Sequence, residues 1–438
     1  MGEGVRVRLG AWRSSLFFKG SAIYVLSTLL NSMVPLVLMP LLTRYLEPAE
    51  YGQVAIFQSL YVALAALVTL EVVGGATLKY FQCDGQPRLL TGYVTSCLQI
   101  IVVSGLVCAG LIAVVNEVIA VDIGLPVFWL FASLVYAVSA GVIQLRLGQW
   151  QARGDALPYG LMQSSQALLN CLLSILLVAG LSLGVDGRLA AMTVAVVIPA
   201  FIAVFLLGRD GLLDCSAANG HIRIEALKFG IPLIPHALGG FLFSLADRLV
   251  IATALNLEQA GLYSVAMQLS LSLGLVFAAV NNAYAPWLYG QLSTAGANHR
   301  LQLVRKTYLS FGAIGISVAL VWLSGPWILR LLAGSAYDEA ANLIGWLAIG
   351  QGFVGMYFAV VGYMFFEKKT ALISACSVVT GVASIFFLIV AVRHAGVEGA
   401  AKSFAFSMGV RFLVFWWAAN RCHPMPWFSF WRIRDSYV

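Results

Sequence analysis

Six ionisable side chains stand inside or at the edge of long apolar runs: Asp247-Arg248, Arg411, Glu71, Lys79 and Arg44. A charge at hydrocarbon depth costs about 3 kcal/mol or more, so it marks a wet path or a pair. Asp247-Arg248 lies about seven residues from the outer end of its run, or roughly 10 Å deep at 1.5 Å per residue. Arg411 lies about thirteen residues in, roughly 20 Å. Guanidinium suits phosphate, because its planar fork makes bidentate, charge-assisted hydrogen bonds. Arg44, Lys79, Arg248 and Arg411 therefore form the candidate binding set for an anionic cargo. Glu71 and Asp247 are the candidates for ion coupling or charge pairing. A structural reading stands beside each. Asp247 and Arg248 can neutralise one another, although neighbours point about 100° apart on a helix. Arg411 can snorkel to the headgroups, and Arg44, Glu71 and Lys79 can mark the membrane edge. Tyr51, Tyr263, Tyr284 and Trp287 are candidates for sugar contact or for the interfacial aromatic belt.

The elements that must position these groups are membrane helices. The chain has 438 residues, 61% hydrophobic and 10% charged, with a mean hydropathy of +0.89. A soluble chain carries about 25% charged residues, so a cytosolic enzyme, a disulfide scaffold and a disordered protein are excluded. Apolar runs predict twelve spans: 20–43, 51–74, 89–115, 123–146, 157–182, 188–208, 229–255, 260–289, 301–323, 338–366, 370–392 and 396–420. They are continuous and do not alternate, which excludes a strand barrel. With the N-terminus placed in the cytoplasm, 19 of the 26 Lys and Arg fall on the cytoplasmic side and 5 on the outer side. That bias supports the span count and places both termini inside. Arg188 falls in an outer connector and Arg146 at the cytoplasmic rim.

The longest soluble connector, about 209–228, divides the chain into an N-terminal lobe (1–215, spans one to six) and a C-terminal lobe (216–438, spans seven to twelve). The expected architecture is all-α, two six-helix lobes around a central cavity. Leu46-Glu47-x-Ala49 with Val54-Ala55 recurs as Leu257-Glu258-x-Ala260 with Val265-Ala266, a trace of parallel repeats. Pro35 and Pro40 interrupt span one, and Pro232 and Pro235 interrupt span seven. Such matched interruptions point to hinges on a transport path. His236 reads as a hydrogen-bonded core residue near the second break.

No phosphate-binding GxxxxGK[ST] loop, HExxH or CxxC is present, and the 5 His and 7 Cys are scattered. The expectation is no cofactor, no metal, no nucleic-acid partner and no catalysis. Short outer connectors argue against a membrane glycan polymerase or ligase. A multidrug-type exporter of cations would show a carboxylate-lined pocket. A transporter driven by a gradient or by its cargo fits better.

Three stretches resemble Wzx-type polysaccharide flippases of the multidrug/oligosaccharidyl-lipid/polysaccharide exporter superfamily. They are Thr43-Arg44-Tyr45-Leu46-Glu47-Pro48-x-Glu50-Tyr51-Gly52; Phe229-Gly230-Ile231-Pro232-Leu233-Ile234-Pro235 with Asp247-Arg248 and Gly261-x-Tyr263-Ser264-Val265-Ala266; and Gly396-Val397-x-Gly399-Ala400-Ala401. Peptidoglycan-precursor flippases are close relatives, usually with two extra spans. The resemblance implies alternating-access transfer of undecaprenyl-pyrophosphate-linked oligosaccharide across the bacterial inner membrane, for O-antigen, capsule or exopolysaccharide. Implied partners are membrane lipids, a proton or sodium ion, a polysaccharide polymerase and a chain-length regulator. Arg44 and Asp247-Arg248 match family positions; Arg411, Glu71 and Lys79 rest on charge alone.

Overall fold

The computed structural model describes residues 3–83, 86–235, 237, 246–293, 297–367 and 369–427. Among these residues there are helices and no strands. A chain in lipid must satisfy its backbone internally, and continuous apolar sequence leaves the helix as the way to do so. Among the described residues, ten helices are long and apolar enough to cross a membrane. Their outward faces carry Phe128, Phe201, Phe205 and Leu323, each at least 68% exposed, a surface suited to acyl chains.

The helices fall into two compact units. The first comprises Met1–Leu46 and Gln53–Phe241, the second Glu47–Gly52 and Leu242–Val438. The division therefore lies beyond the expected 215/216 boundary. The reason is that the central connector is not all loop. Its second half folds as an amphipathic helix that packs on the first unit.

The first unit contains α1 (Glu3–Tyr45), most of α2 (Pro48–Thr69), α3 (Val72–Gln82), α4 (Pro87–Ile123), α5 (Val127–Arg153), α6 (Ala156–Ser174), α7 (Gly184–Arg209) and α8 (Gly220–Gly230). A π-helical turn, Ile175–Gly180, extends α6. Helix α5 packs against α3, α4 and α7, around Val142, Ile143, Leu147, Val196 and Ala203. Helix α8 is the connector helix. Asn219 caps it by accepting the Ile222 N–H at 2.9 Å, and it lies on α3 and α4.

Two expectations about span boundaries change here. Helix α1 runs unbroken through Pro35 and Pro40, so these prolines do not interrupt it. Each removes one backbone donor, and packing against α6 holds the helix across the gap. The Asn31 amide donates to Gln163 Oε1 across that seam at 2.9 Å. Span two, by contrast, ends early. Leu70 and Glu71 adopt positive φ (44° and 56°), and α3 starts anew at Val72.

The second unit contains α9 (Ala246–Ala254), α10 (Leu257–Ser293), α11 (Ala297–Leu332), α12 (Ala341–Phe366) and the long α13 (Thr370–Cys422). Helix α13 is two helices merged across a kink at Ala395 and Gly396. Gly396 has φ +58°, a conformation that glycine adopts at little cost. The chain folds back there, because a Cβ on Gly399 would stand 2.1 Å from the Ala391 carbonyl oxygen. The last flippase-like motif is thus a helical hairpin turn. The described part of the expected seventh span comprises the end of α8, a 3-10 turn at Ile231–Leu233 carrying Pro232, and α9. Pro232 lies in that 3-10 turn, and the backbone at Gly230 and Ile234 on either side of it is right-handed helical. His236 lies outside the described residues.

Two glycines of the flippase-like stretches, Gly52 and Gly261, have a structural role. A Cβ on Gly52 would fall 2.0 Å from Leu257 O, and one on Gly261 would fall 1.8 Å from Pro48 O. The first turns of α2 and α10 therefore meet backbone to backbone through their glycines.

Candidate functional site

Asp247 and Arg248 open α9 and are both buried. The Tyr263 hydroxyl, from α10, donates to Asp247 Oδ2 at 2.6 Å. Arg248 Nη1 lies 3.6 Å from Asp247 Oδ1, and the Arg248 backbone N–H donates to the same oxygen at 2.9 Å. The carboxylate thus touches a cation, a phenol and an amide, so its charge is locally balanced. Beside it is a cavity of about 20 Å³, lined by Tyr263, Ser384, Ser403, Ser407 and apolar side chains. That is room for one water-sized species among hydroxyls. The two arms of α13 supply the serines, and Ser403 and Ser407 share a face at i, i+4.

Arg411, on the second arm of α13, is half-buried. Its guanidinium lies 4.3 Å from the Tyr357 ring centroid and 5.9 Å from that of Phe415. A guanidinium on an aromatic face keeps its edge donors directed elsewhere.

The other predicted residues are placed differently. Arg44 ends α1 and is exposed. Lys79 is paired within the first unit: its Nζ lies 2.6 Å from Glu225 Oε1 of α8 and 5.6 Å from the Tyr93 ring centroid. This pair helps dock the connector helix. Glu71 is the left-handed residue at the α2–α3 break. Asp247, Arg248 and Arg411 therefore belong to the second unit, and Arg44, Lys79 and Glu71 to the first. Tyr51, whose hydroxyl donates to Gln268 Oε1 at 2.9 Å, also belongs to the second unit.

Two arginines read as surface residues are buried. Arg188 lies inside α7, not in an outer connector, and is 1% exposed. It donates to Asn170 Oδ1 at 2.6 Å and to the Ser174 hydroxyl. Arg146 is equally buried. It is hydrogen-bonded to Asp210 and stacked 4.2 Å over Trp150. Arg153 reaches the same carboxylate at 3.3 Å and Arg209 at 3.8 Å. Burial alone raises the Asp210 pKa, but the Arg146 hydrogen bond and the charges of Arg146, Arg153 and Arg209 outweigh it and hold the carboxyl below its usual range. Sequence position hid these residues, because each stands within a few residues of a span end. The polar neighbours Asn170 and Ser174, one turn apart in the apolar second half of α6, are the signal available for Arg188.

Buried charge pairs inside apolar-surfaced helical units, with a helical hairpin in the second, describe an all-helical membrane protein fold. It is similar to a multidrug resistance MATE family transporter of the MOP superfamily in an inward-facing conformation. The TM-score is 0.71 at 15% identity, over 89% of this chain and 94% of that one. It is also similar to the lipid II flippase MurJ in an inward closed conformation, with a TM-score of 0.71 at 12% identity over 92% and 87% of the two chains.

Residues 17–290 match the polysaccharide biosynthesis protein family, and the chain belongs to it. Protein 1 of the Lsg locus of Haemophilus influenzae is 25% identical over 376 residues, 85% of this chain and 90% of that protein. An uncharacterized membrane protein of the same organism is 26% identical over 405 residues, 87% of this chain and 94% of its own length.

Proposed function

We propose that this multi-pass protein flips undecaprenyl-pyrophosphate-linked oligosaccharide from the cytoplasmic to the periplasmic leaflet of a bacterial inner membrane, by alternating access, for O-antigen, capsule or exopolysaccharide assembly. The observation that supports the reading is a buried guanidinium, Arg248, and a half-buried one, Arg411, within one helical unit of a chain of the polysaccharide biosynthesis family. Arg411, backed by Tyr357, presents donors suited to phosphate oxygens and sugar hydroxyls. Arg248 is held in place by Asp247 and supplies positive potential to the path. Arg44 attracts the anionic headgroup at the outer end. Both termini face the cytoplasm, and a polymerase and a chain-length regulator act on the product.

Asp247 is the coupling residue. It sits beside hydroxyls and a water-sized space, so a proton or a sodium ion held there competes with Arg248 for the carboxylate. Loading would loosen the Arg248 contact and bias the cycle. Glu71, at a strained helix break, is a lesser candidate.

The test is export in cells whose own flippase is deleted, at matched membrane levels of each variant. Arg248→Glu and Arg411→Glu should each abolish surface polymer while lipid-linked precursor accumulates. Normal export by both variants overturns the reading.

A further inference from the structure

Span two stops at Leu70 and Glu71, although nothing in the local sequence requires it. The stretch from Leu64 to Val73 contains neither proline nor glycine, and leucine and glutamate are good helix formers. Both residues nevertheless take left-handed backbone, with φ of 44° and 56°. That region is disfavoured for any residue with a Cβ, and residues other than glycine visit it singly. Two in succession mark a break imposed by the surroundings.

The surroundings that impose it are α4 and α8. The Ser104 hydroxyl of α4 donates to the Val68 carbonyl at 2.6 Å, the group that accepts the Val72 N–H in a continuous helix. The Glu71 N–H turns to Thr69 Oγ1 at 3.3 Å. Gly230, the last residue of α8, sits directly on the break. A Cβ there would stand 2.1 Å from the Leu70 carbonyl oxygen and 2.9 Å from the Val72 nitrogen. Its neighbour Phe229 lies over Gly75, where a Cβ would come within 3.0 Å of the ring. The Lys79–Glu225 pair fastens α8 to α3.

A sequence able to continue as a helix, yet held broken by one hydroxyl and one glycine, has two arrangements that satisfy its backbone. We propose that span two is a conformational switch. It is broken at Leu70–Glu71 while Gly230 is seated there, and it is one helix from Pro48 to Gln82 once Gly230 lifts away. The chain leaves α8 toward the second unit, so movement at that end reaches the break through the backbone. The inference deepens the flippase reading and rests on it, because alternating access requires an element with two states. Gly230 of the second flippase-like stretch acts as the wedge.

The experiment is pulsed EPR on the full-length chain in nanodiscs, with spin-label amino acids encoded at Leu67 and Phe81, both exposed. At 1.5 Å per residue a continuous helix separates these positions by about 21 Å, and the break shortens that distance. Gly230→Ala crowds the seat, and Ser104→Ala removes the donor that serves the break. Each should raise the 21 Å population threefold or more. Leu70→Gly is compared with Leu70→Ala, which loses the same side-chain contacts but keeps a Cβ. Glycine disfavours the continuous helix by about fivefold and favours the left-handed break by about fivefold again. The 21 Å population should therefore vanish in Leu70→Gly, and its export should fall fivefold or more below that of Leu70→Ala at matched membrane levels. One unchanged distance in wild type, Gly230→Ala and Ser104→Ala overturns the inference, as does equal export by Leu70→Gly and Leu70→Ala. Thermal melting identifies misfolding; should Gly230→Ala misfold, Ser104→Ala decides. The two claims fail separately. Export by a chain with one unchanged distance sinks the switch and leaves the flippase reading. Distances that shift as expected in a wild-type chain that exports no polymer sink the flippase reading and leave the switch.

Discussion

Asp247→Asn keeps the shape of the Asp247 side chain, and its oxygen can still accept from Tyr263, but the charge 3.6 Å from Arg248 Nη1 is gone. At an effective dielectric of 20, a unit pair at that distance interacts by about 5 kcal/mol. Desolvation of both ions offsets part of this, and breaking a buried pair by removing one partner costs about 3 kcal/mol or more. The second unit holds about two hundred residues. With an unfolding entropy of about 2.1 cal/mol/K per residue, 3 kcal/mol lowers its Tm by about 7 °C. Arg248→Gln should cost a similar amount. The double variant restores neutrality, so it should melt within about 2 °C of wild type, a coupling of roughly 5 kcal/mol against two single losses of about 3 kcal/mol each. Intrinsic tryptophan fluorescence of the solubilised chain reads all four proteins. Export separates structure from transport, because the double variant should be stable and yet inactive. Additive losses, with coupling under about 0.5 kcal/mol, would refute the pair as described, and normal export by the stable double variant would remove Arg248 from the path.

Asp210→Asn should destabilise the first unit by about 3 kcal/mol, because Arg146 is buried against that carboxylate. The Asp210 carboxyl is held below its usual range, so its contribution is complete above about pH 4 and is lost as pH falls through the depressed value. Melting curves from pH 6 down should show wild type converging on the Asn variant in that acid window. Gly261→Ala places a methyl 1.8 Å from Pro48 O. It should cost about 1–3 kcal/mol by overpacking. Gly52→Ala should cost as much, and the double less than the sum because both open the same contact, which a melting cycle checks. Arg411→Lys loses the planar stack on Tyr357. Export should fall at least fivefold, with Tm nearly unchanged, since such a stack is worth about 1 kcal/mol; full export would show that any cation suffices.

The sequence by itself determined the solvent. Continuous apolar runs with few charges permit only lipid-embedded helices. It also marked the Asp247-Arg248 pair, because two adjacent opposite charges are legible without neighbours. Three short motifs carried the family. Tertiary structure decided everything that depends on which helix faces which. It gave Lys79 to Glu225, buried Arg146 and Arg188 behind span ends that look like membrane rims, and kept α1 helical through two prolines. It also brought Tyr263 and the α13 serines to Asp247 from segments up to about 160 residues away. In lipid, an apolar residue is equally at home outward or inward, so hydropathy does not tell a buried face from an exposed one. Only packing chooses the face, and with it the partners of each charge.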